Sequence, residues 1–131
     1  MRYLLTSLFL FGLSITFGQS KYNRILNSID DNKTNYSGIA QQIWSYAEMG
    51  YQETQSSALL QKTLEEAGFK ITTGVADIPT AFTATYGSGG PVIAVLGEFD
   101  ALPGLSQKAV PYKVSNDGKA GHACGHHLFG T

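Results

Sequence analysis

A loop near the end of the sequence holds the residues best suited to bind a metal ion. The run Gly121–His127 contains the one cysteine of the protein, Cys124, and all three of its histidines. Thiolate and imidazole are ligands that zinc and related divalent metals bind well. Residues 122, 124 and 126 would face the same side of an extended segment, so His122 is a candidate ligand beside Cys124 and His126. The alternative is that His122 packs or forms a hydrogen bond locally.

The first residues of the chain resemble a secretory signal peptide, which we assign to residues 1–18. Arg2 supplies a positive charge, an apolar run continues to Phe17, and small residues at 16 and 18 precede a cleavage position. We expect cleavage before Gln19 and export, either to a periplasm or out of the cell. The run is shorter than the about 20 residues of a spanning helix, so stable membrane anchoring is not expected, and an uncleaved anchor is the alternative.

Export restricts what Cys124 can do. An oxidising compartment favours disulfides, but a lone cysteine cannot form one within its own chain. Metal ligation, an intermolecular disulfide, a free thiol and an inert buried thiol remain open. The neighbouring glycines and histidines favour metal ligation, which also makes His127 a candidate ligand.

Composition limits the class of protein. Residues 19–131 suffice for one small domain. The chain is 43% hydrophobic and 15% charged, which is typical of a globular protein and not of a disordered one. The net charge is −1 and no basic cluster is present, so the sequence gives no support for nucleic-acid binding.

Two helices are predicted first along the chain. Apolar residues three and four positions apart indicate one amphipathic helix over residues 36–47 and another over residues 59–67. Thr54 or Ser56 is expected to cap the start of the second helix, and Gly68 is expected to end it.

Strands are predicted after the helices. Residues 70–75, 80–86 and 91–96 are rich in β-branched and aromatic residues, and the glycines and serine of 87–90 form a turn. The last strand is continuously apolar from Val92 to Leu96, as in a strand covered on both faces, so we expect it at the centre of the sheet.

Two carboxylates follow that last strand. Glu98 and Asp100 lie where the strand ends and a Gly/Pro loop begins, and ligands of open α/β sheets gather at such positions. The alternative is that both residues only solvate the loop, or that Asp100 begins an Asx-type turn before Pro103.

These segments together resemble the M20 family of metallopeptidases. The segments Glu98–Pro103 and His122–His126 are similar to motifs of its amidohydrolase branch, which hydrolyses N-acyl amino acids. Residues 97–107 lean towards members that are p-aminobenzoyl-glutamate hydrolase-like, and residues 43–68 are similar to the first helical segment of the branch. The resemblance covers nearly all of the predicted mature chain. It implies an α/β fold: the N-terminal portion of a di-metal exopeptidase-type catalytic domain, with helices followed by sheet strands.

The resemblance also implies roles for the site residues. Cys124 and His126 correspond to ligands of a centre with two divalent metal ions, manganese or zinc, and Asp100 corresponds to an aspartate that orients a ligand histidine. Glu98 stands where many M20 enzymes outside this branch have a metal-binding histidine, so Glu98 is a further candidate ligand. His127 replaces the aspartate that commonly follows the Cys-Gly-His motif.

The implied reaction is metal-assisted amide hydrolysis of a small N-acyl amino acid. In the family a glutamate moves the proton from water to the leaving amine, and it follows the Cys-Gly-His loop beside a second, metal-binding glutamate. That catalytic base, the remaining ligands and a smaller dimerisation domain would all lie beyond Thr131. Residues 19–131 are therefore expected to be a truncated, inactive N-terminal part of the catalytic domain, and the full-length protein is expected to be a homodimer.

Two other kinds of protein fit the same residues. One is an exported stand-alone metal-binding module, and the other is a non-catalytic domain that binds a small acyl amino acid. The coding sequence past Thr131 discriminates among the three, because a Glu-Glu pair followed by further histidines would favour the enzyme.

Overall fold

The computed structural model describes residues 2–116 and 118–131, with side chains described from Tyr22 onward, apart from Asp117. The chain divides into two units, one ending at Tyr36 and the other comprising Ser37–Thr131. The side chains of the predicted signal peptide lie outside the described residues, so its cleavage stays a prediction. Within the described part, no helix is long and apolar enough to cross a membrane.

The first helix, α1, comprises Arg2–Tyr46. In the first unit it presents apolar side chains three and four positions apart that are all exposed: Tyr22, Ile25, Leu26 and Ile29. In the second unit the same spacing produces buried residues, because Ile39 and Ile43 are 5% and 0% exposed. The predicted helix over residues 36–47 is therefore confirmed to within one residue at its end, but it is the last part of a helix that begins at Arg2 and not at residue 36.

The hydrophobic core of the second unit is small. It consists of Ile39 and Ile43 from α1 and Leu60 from α2, the helix Thr54–Glu66. Partly buried apolar side chains pack around these three: Leu59, Phe82 and Phe99. The burial of one apolar stripe on each helix is what the sequence periodicity predicts.

The start of α2 is capped by a residue that lies several positions before the helix. The predicted caps Thr54 and Ser56 are wrong, because both residues lie inside the helix, and Glu53 at the cap position makes no capping hydrogen bond. Instead the carboxylate of Glu48 accepts the backbone N–H groups of Gln55 and Ser56 at 2.9 and 2.8 Å. It thereby satisfies N–H groups that have no partner within the first turn of a helix.

These contacts change the pKa of Glu48. Burial raises the pKa of Glu48, but the hydrogen bonds from Gln55 and Ser56 together outweigh burial and hold this pKa below its ordinary value.

At the other end of α2, Gly68 has a left-handed φ of 89° and its N–H donates to the carbonyl of Glu65. The predicted stop at Gly68 is confirmed.

The first two predicted strands form a hairpin. Strand β1, Lys70–Thr73, pairs antiparallel with β2, Phe82–Thr85, so that Thr73 lies opposite Phe82. Both strands are shorter than predicted, and a 3-10 turn at Val75–Asp77 follows the end of β1. The α/β class with helices followed by strands is confirmed.

The predicted central strand at residues 91–96 is wrong. The segment has no regular secondary structure, and Val92, Ile93, Val95 and Leu96 are 78% to 93% exposed. A strand is stabilised by hydrogen bonds to its neighbours, and none of the strands in the described residues pairs with this segment. The local composition thus predicted a strand, but the described residues provide no neighbouring strand that pairs with it.

Candidate metal centre

A short strand pair brings the two parts of the site together. Strand β3, Leu102–Pro103, pairs antiparallel with β4, Ala120–Gly121, and Leu102 lies opposite Gly121. The carboxylate segment ends immediately before β3, and the Cys/His loop begins immediately after β4. A side chain at position 121 would collide with the backbone of Leu105 and Ser106, so glycine is required for this close approach.

The loop then enters a single helical turn, α3, at His126–Phe129. Gly125 precedes it with a φ of 81°, a left-handed conformation that favours glycine. This turn places His126 against the carboxylate segment.

His126 lies between the two carboxylates. Its Nδ1 is 2.8 Å from Oδ1 of Asp100 and 3.1 Å from the carbonyl oxygen of Asp100. Its Nε2 is 3.2 Å from Oε2 of Glu98. The contact at Nδ1 is the one that the predicted orienting role of Asp100 requires, whereas no such contact was predicted for Glu98.

His122 serves as an anchor to α1. The residue is 4% exposed, and its Nε2 donates to the carbonyl of Ile43 at 3.1 Å. Burial is the main cause that lowers the pKa of His122, although the hydrogen bond to Ile43 raises it.

The ring of His127 lies beside that of His122. The two ring centroids are 5.0 Å apart, and the Nδ1 atoms of both are buried without a hydrogen-bond partner among the described residues. Burial, and then the charge of His122, lower the pKa of His127.

Cys124 has an exposed thiol. The interpretation of an inert buried cysteine is therefore wrong, and the thiol can be reached from solvent. Among residues 2–116 and 118–131, no three His, Cys, Asp or Glu side chains are arranged to hold one metal ion. The described residues thus supply donor chemistry that zinc binds, but not a complete set of ligands.

The loop between α1 and α2 supports the carboxylate segment. The N–H of Ala101 donates to the carbonyl of Glu48 at 2.7 Å, and Met49 forms a parallel bridge with Ala101. Sequence reasoning did not assign Glu48 a structural role. The sequence indicated this role only in that Glu48 is a carboxylate a few residues before the start of α2, where a negative charge stabilises a helix.

A cleft opens beside β4. Its volume is about 510 Å³, which is within the usual range for small-molecule sites. Aromatic side chains from the end of α1 and polar side chains from the loop between β3 and β4 line it, among them Trp44, Tyr46, Gln107 and Lys119.

The chain is similar in sequence to known proteins. No protein-family model matches the chain. It is 47% identical over 116 residues to a p-aminobenzoyl-glutamate hydrolase subunit of Escherichia coli (strain K12), and the match covers 86% of this chain and 24% of that protein. The chain belongs to the M20 amidohydrolase family.

Two other proteins similar to this M20 chain are hydrolases by name. One is N-acetyl-L-cysteine deacetylase of Bacillus subtilis (strain 168), 34% identical over 95 residues, which are 68% of this chain and 21% of that protein. Another is thermostable carboxypeptidase 1 of Saccharolobus solfataricus, 32% identical over 90 residues, which are 67% of this chain and 22% of that protein. The chain spans about a quarter of the length of the relatives it matches.

Proposed function

We propose that the chain carries part of the metal centre of a hydrolase that cleaves the amide bond of N-acyl amino acids or p-aminobenzoyl-glutamate-like substrates. The observation that carries the proposal is His126, held through Nδ1 by Asp100 at 2.8 Å and two residues after the exposed Cys124. The 47% identity to a p-aminobenzoyl-glutamate hydrolase subunit supports the substrate class.

The donor atoms suit divalent metal ions. Thiolate and imidazole are zinc ligands, and manganese is the alternative that the family resemblance supplies. Two such ions, when bound, lower the pKa of a bound water and polarise the scissile carbonyl. Asp100 keeps the proton of His126 on Nδ1, so Nε2 presents a lone pair for ligation, and the exposed Cys124 supplies the thiolate.

A general base must move the proton from water to the leaving amine, and we assign that role to no residue of this chain. Glu48 is engaged at the start of α2, and Glu53 accepts a hydrogen bond from Thr80 at 2.6 Å. Glu98 and Asp100 both contact the ring of His126. We propose that the base and the remaining ligands come from outside these 131 residues.

The 131-residue chain alone is therefore expected to be inactive. With excess zinc or manganese it should release no free amino acid from N-acyl amino acids, because its described residues supply neither a base nor a complete set of ligands. The assay is detection of the released amine. Metal-dependent turnover that disappears in Cys124→Ala would contradict this prediction.

The activity is best tested in a chimera. In the E. coli p-aminobenzoyl-glutamate hydrolase protein, the 116 matched residues are replaced by those of this chain. We expect the folded chimera to hydrolyse p-aminobenzoyl-glutamate, and we expect Cys124→Ala or His126→Ala within it to abolish turnover. Glu65→Gln, which removes an exposed charge on α2, is the matched control and should leave turnover unchanged. A folded chimera without activity would contradict the proposal.

The substrate and the partners follow from the same proposal. A small N-acyl amino acid would enter beside the site, and the cleft next to β4 has a suitable volume of about 510 Å³. We propose that the whole protein assembles as a homodimer. The similar E. coli protein is named as a subunit, which supports assembly with a further chain.

We also propose that the protein is exported after cleavage before Gln19. The charged start, the apolar run and the small residues at 16 and 18 support this localisation. The intact mass of the protein recovered from its producing cells tests it. A mature species that retains residues 1–18 would favour the anchor instead.

A further inference from the structure

The contact between Glu98 and His126 adds a second donor atom to the proposed site. We propose that Glu98 is a ligand of the same metal ion that His126 binds. This inference rests on the proposed function. The family resemblance implies that Cys124 and His126 are ligands and leaves Glu98 as a candidate only, and the contact of Glu98 with His126 is what carries the inference.

The first step concerns the proton on His126. Its Nδ1 faces two oxygens of Asp100, the carbonyl at 3.1 Å and the carboxylate at 2.8 Å. Both oxygens are acceptors, so Nδ1 carries a hydrogen and donates it. The neutral ring then has its lone pair on Nε2, and Nε2 is the atom that faces Glu98.

The second step concerns what lies between Nε2 and Glu98. A nitrogen lone pair and a carboxylate oxygen repel each other, yet these two atoms are 3.2 Å apart. The arrangement is favourable when a cation lies between the atoms, either a proton on Nε2 or a metal ion that both atoms bind. Two donors at zinc-ligand distances on a tetrahedral ion lie about 3.3 Å apart, which matches the observed spacing.

The third step concerns access and charge. The side chain of Glu98 is 54% exposed and that of His126 is 21% exposed, so an ion from solvent can reach the pair. A carboxylate carries a negative charge that attracts a divalent ion, which lowers the free energy of the bound state. Glu98 follows the apolar segment of residues 91–96 directly, so its backbone position depends on how that segment is held.

Zinc titration of the 131-residue chain tests the proposal, with binding measured by calorimetry. Glu98→Gln keeps the size of the side chain but removes its charge, and it should weaken zinc binding by at least about tenfold, the lower end of losses seen around metal sites. Glu65→Gln makes the same change on the exposed face of α2 and should bind zinc as the unchanged chain does. Circular dichroism of the metal-free proteins checks that each variant folds.

A further variant separates ligation from simple charge attraction. Glu98→His replaces one metal ligand by another, but it cannot form an ion pair with a protonated His126. If Glu98 binds the ion, Glu98→His should regain most of the affinity that Glu98→Gln loses. With cobalt in place of zinc, the ligand-field absorption should differ between Glu98→His and the unchanged chain, because a nitrogen replaces an oxygen on the ion.

The outcomes distinguish this inference from the proposed function. If Cys124→Ala and His126→Ala weaken binding but Glu98→Gln behaves like Glu65→Gln, the metal site stands and Glu98 is not a ligand. If Glu98→Gln weakens binding and Glu98→His does not recover it, Glu98 acts by charge alone and the inference is overturned. If zinc binding is absent, or is indifferent to Cys124 and His126 as well, both the inference and the proposed metal site are overturned.

Discussion

At the residue scale, the site depends on how His126 is held. Asp100 contacts Nδ1 through both its carboxylate and its carbonyl, and Ala101 is fixed by the carbonyl of Glu48. The ring orientation is thus set by groups on the protein before any ion binds. Such preorganisation lowers the cost of ordering the ligand on binding.

Asp100→Asn should weaken metal binding by about 10- to 100-fold, because a neutral amide no longer raises the basicity of the His126 imidazole. The loss should be smaller than that from Cys124→Ala, which removes a bond to the ion itself. Calorimetric titration with zinc measures both. Asp31→Asn, an exposed change on α1, is the control, and an equal loss in Asp100→Asn and Asp31→Asn would show that Asp100 has no specific role.

His122 should behave differently from Cys124. His122→Ala removes the buried hydrogen bond to Ile43, so it should lower the free energy of unfolding by about 1–3 kcal/mol while reducing zinc affinity far less than Cys124→Ala does. Urea unfolding gives the first quantity and zinc titration of the folded variant gives the second. Equal losses of zinc affinity in the two variants would make His122 a ligand.

At the element scale, regular patterns were predictable and distant partners were not. The stripe of Ile39 and Ile43 and the stop at Gly68 follow from local spacing, and the structure confirms both. The cap of α2 was missed because its carboxylate comes from Glu48, before the helix, and not from the residues at its start. The contact between Asp100 and His126 joins residues 26 positions apart, and the family resemblance predicted it, because periodicity and turn signals do not report such a pairing.

Glu48→Gln should destabilise the second unit by about 1 kcal/mol, the usual effect of losing a charged helix cap. The folded-state pKa of Glu48 is lowered, so its contribution to stability is present above the unfolded pKa of about 4.5 and is lost as the pH falls below it. Urea unfolding at neutral pH and at acidic pH measures the difference. Glu48→Gln should show a smaller loss of stability on acidification than the unchanged chain, and an identical loss would contradict the capping role.

At the scale of the whole molecule, the exposed apolar segment of residues 91–96 is the main departure from the predicted fold. Composition alone predicts a central strand there, but a strand also needs neighbours, and the described residues supply none to it. A segment of this kind presents unpaired backbone groups beside apolar side chains. It favours association between chains.

Val95→Lys should therefore reduce association of the 131-residue chain without lowering the free energy of unfolding, since Val95 is 93% exposed. A charge on an exposed edge opposes strand pairing between molecules. Light scattering across a concentration series measures association, and urea unfolding measures stability. Tyr112→Lys, at another exposed apolar side chain, is the control, and an equal reduction there would mean that the segment is not the site of association.

The hydrogen bond from His122 to Ile43 joins residues 79 positions apart, and this separation has a consequence for the order of folding. The core of α1, α2 and the hairpin is held by contacts between residues that are closer in sequence. Such contacts form first, because closing a short segment of chain costs less entropy than closing a long one. During synthesis that core can form once residue 85 has left the ribosome, whereas the Cys/His loop must wait for residue 122 to emerge. We therefore expect the scaffold to exist before the loop docks on it, so that the Cys/His loop adds its residues to a surface already in place.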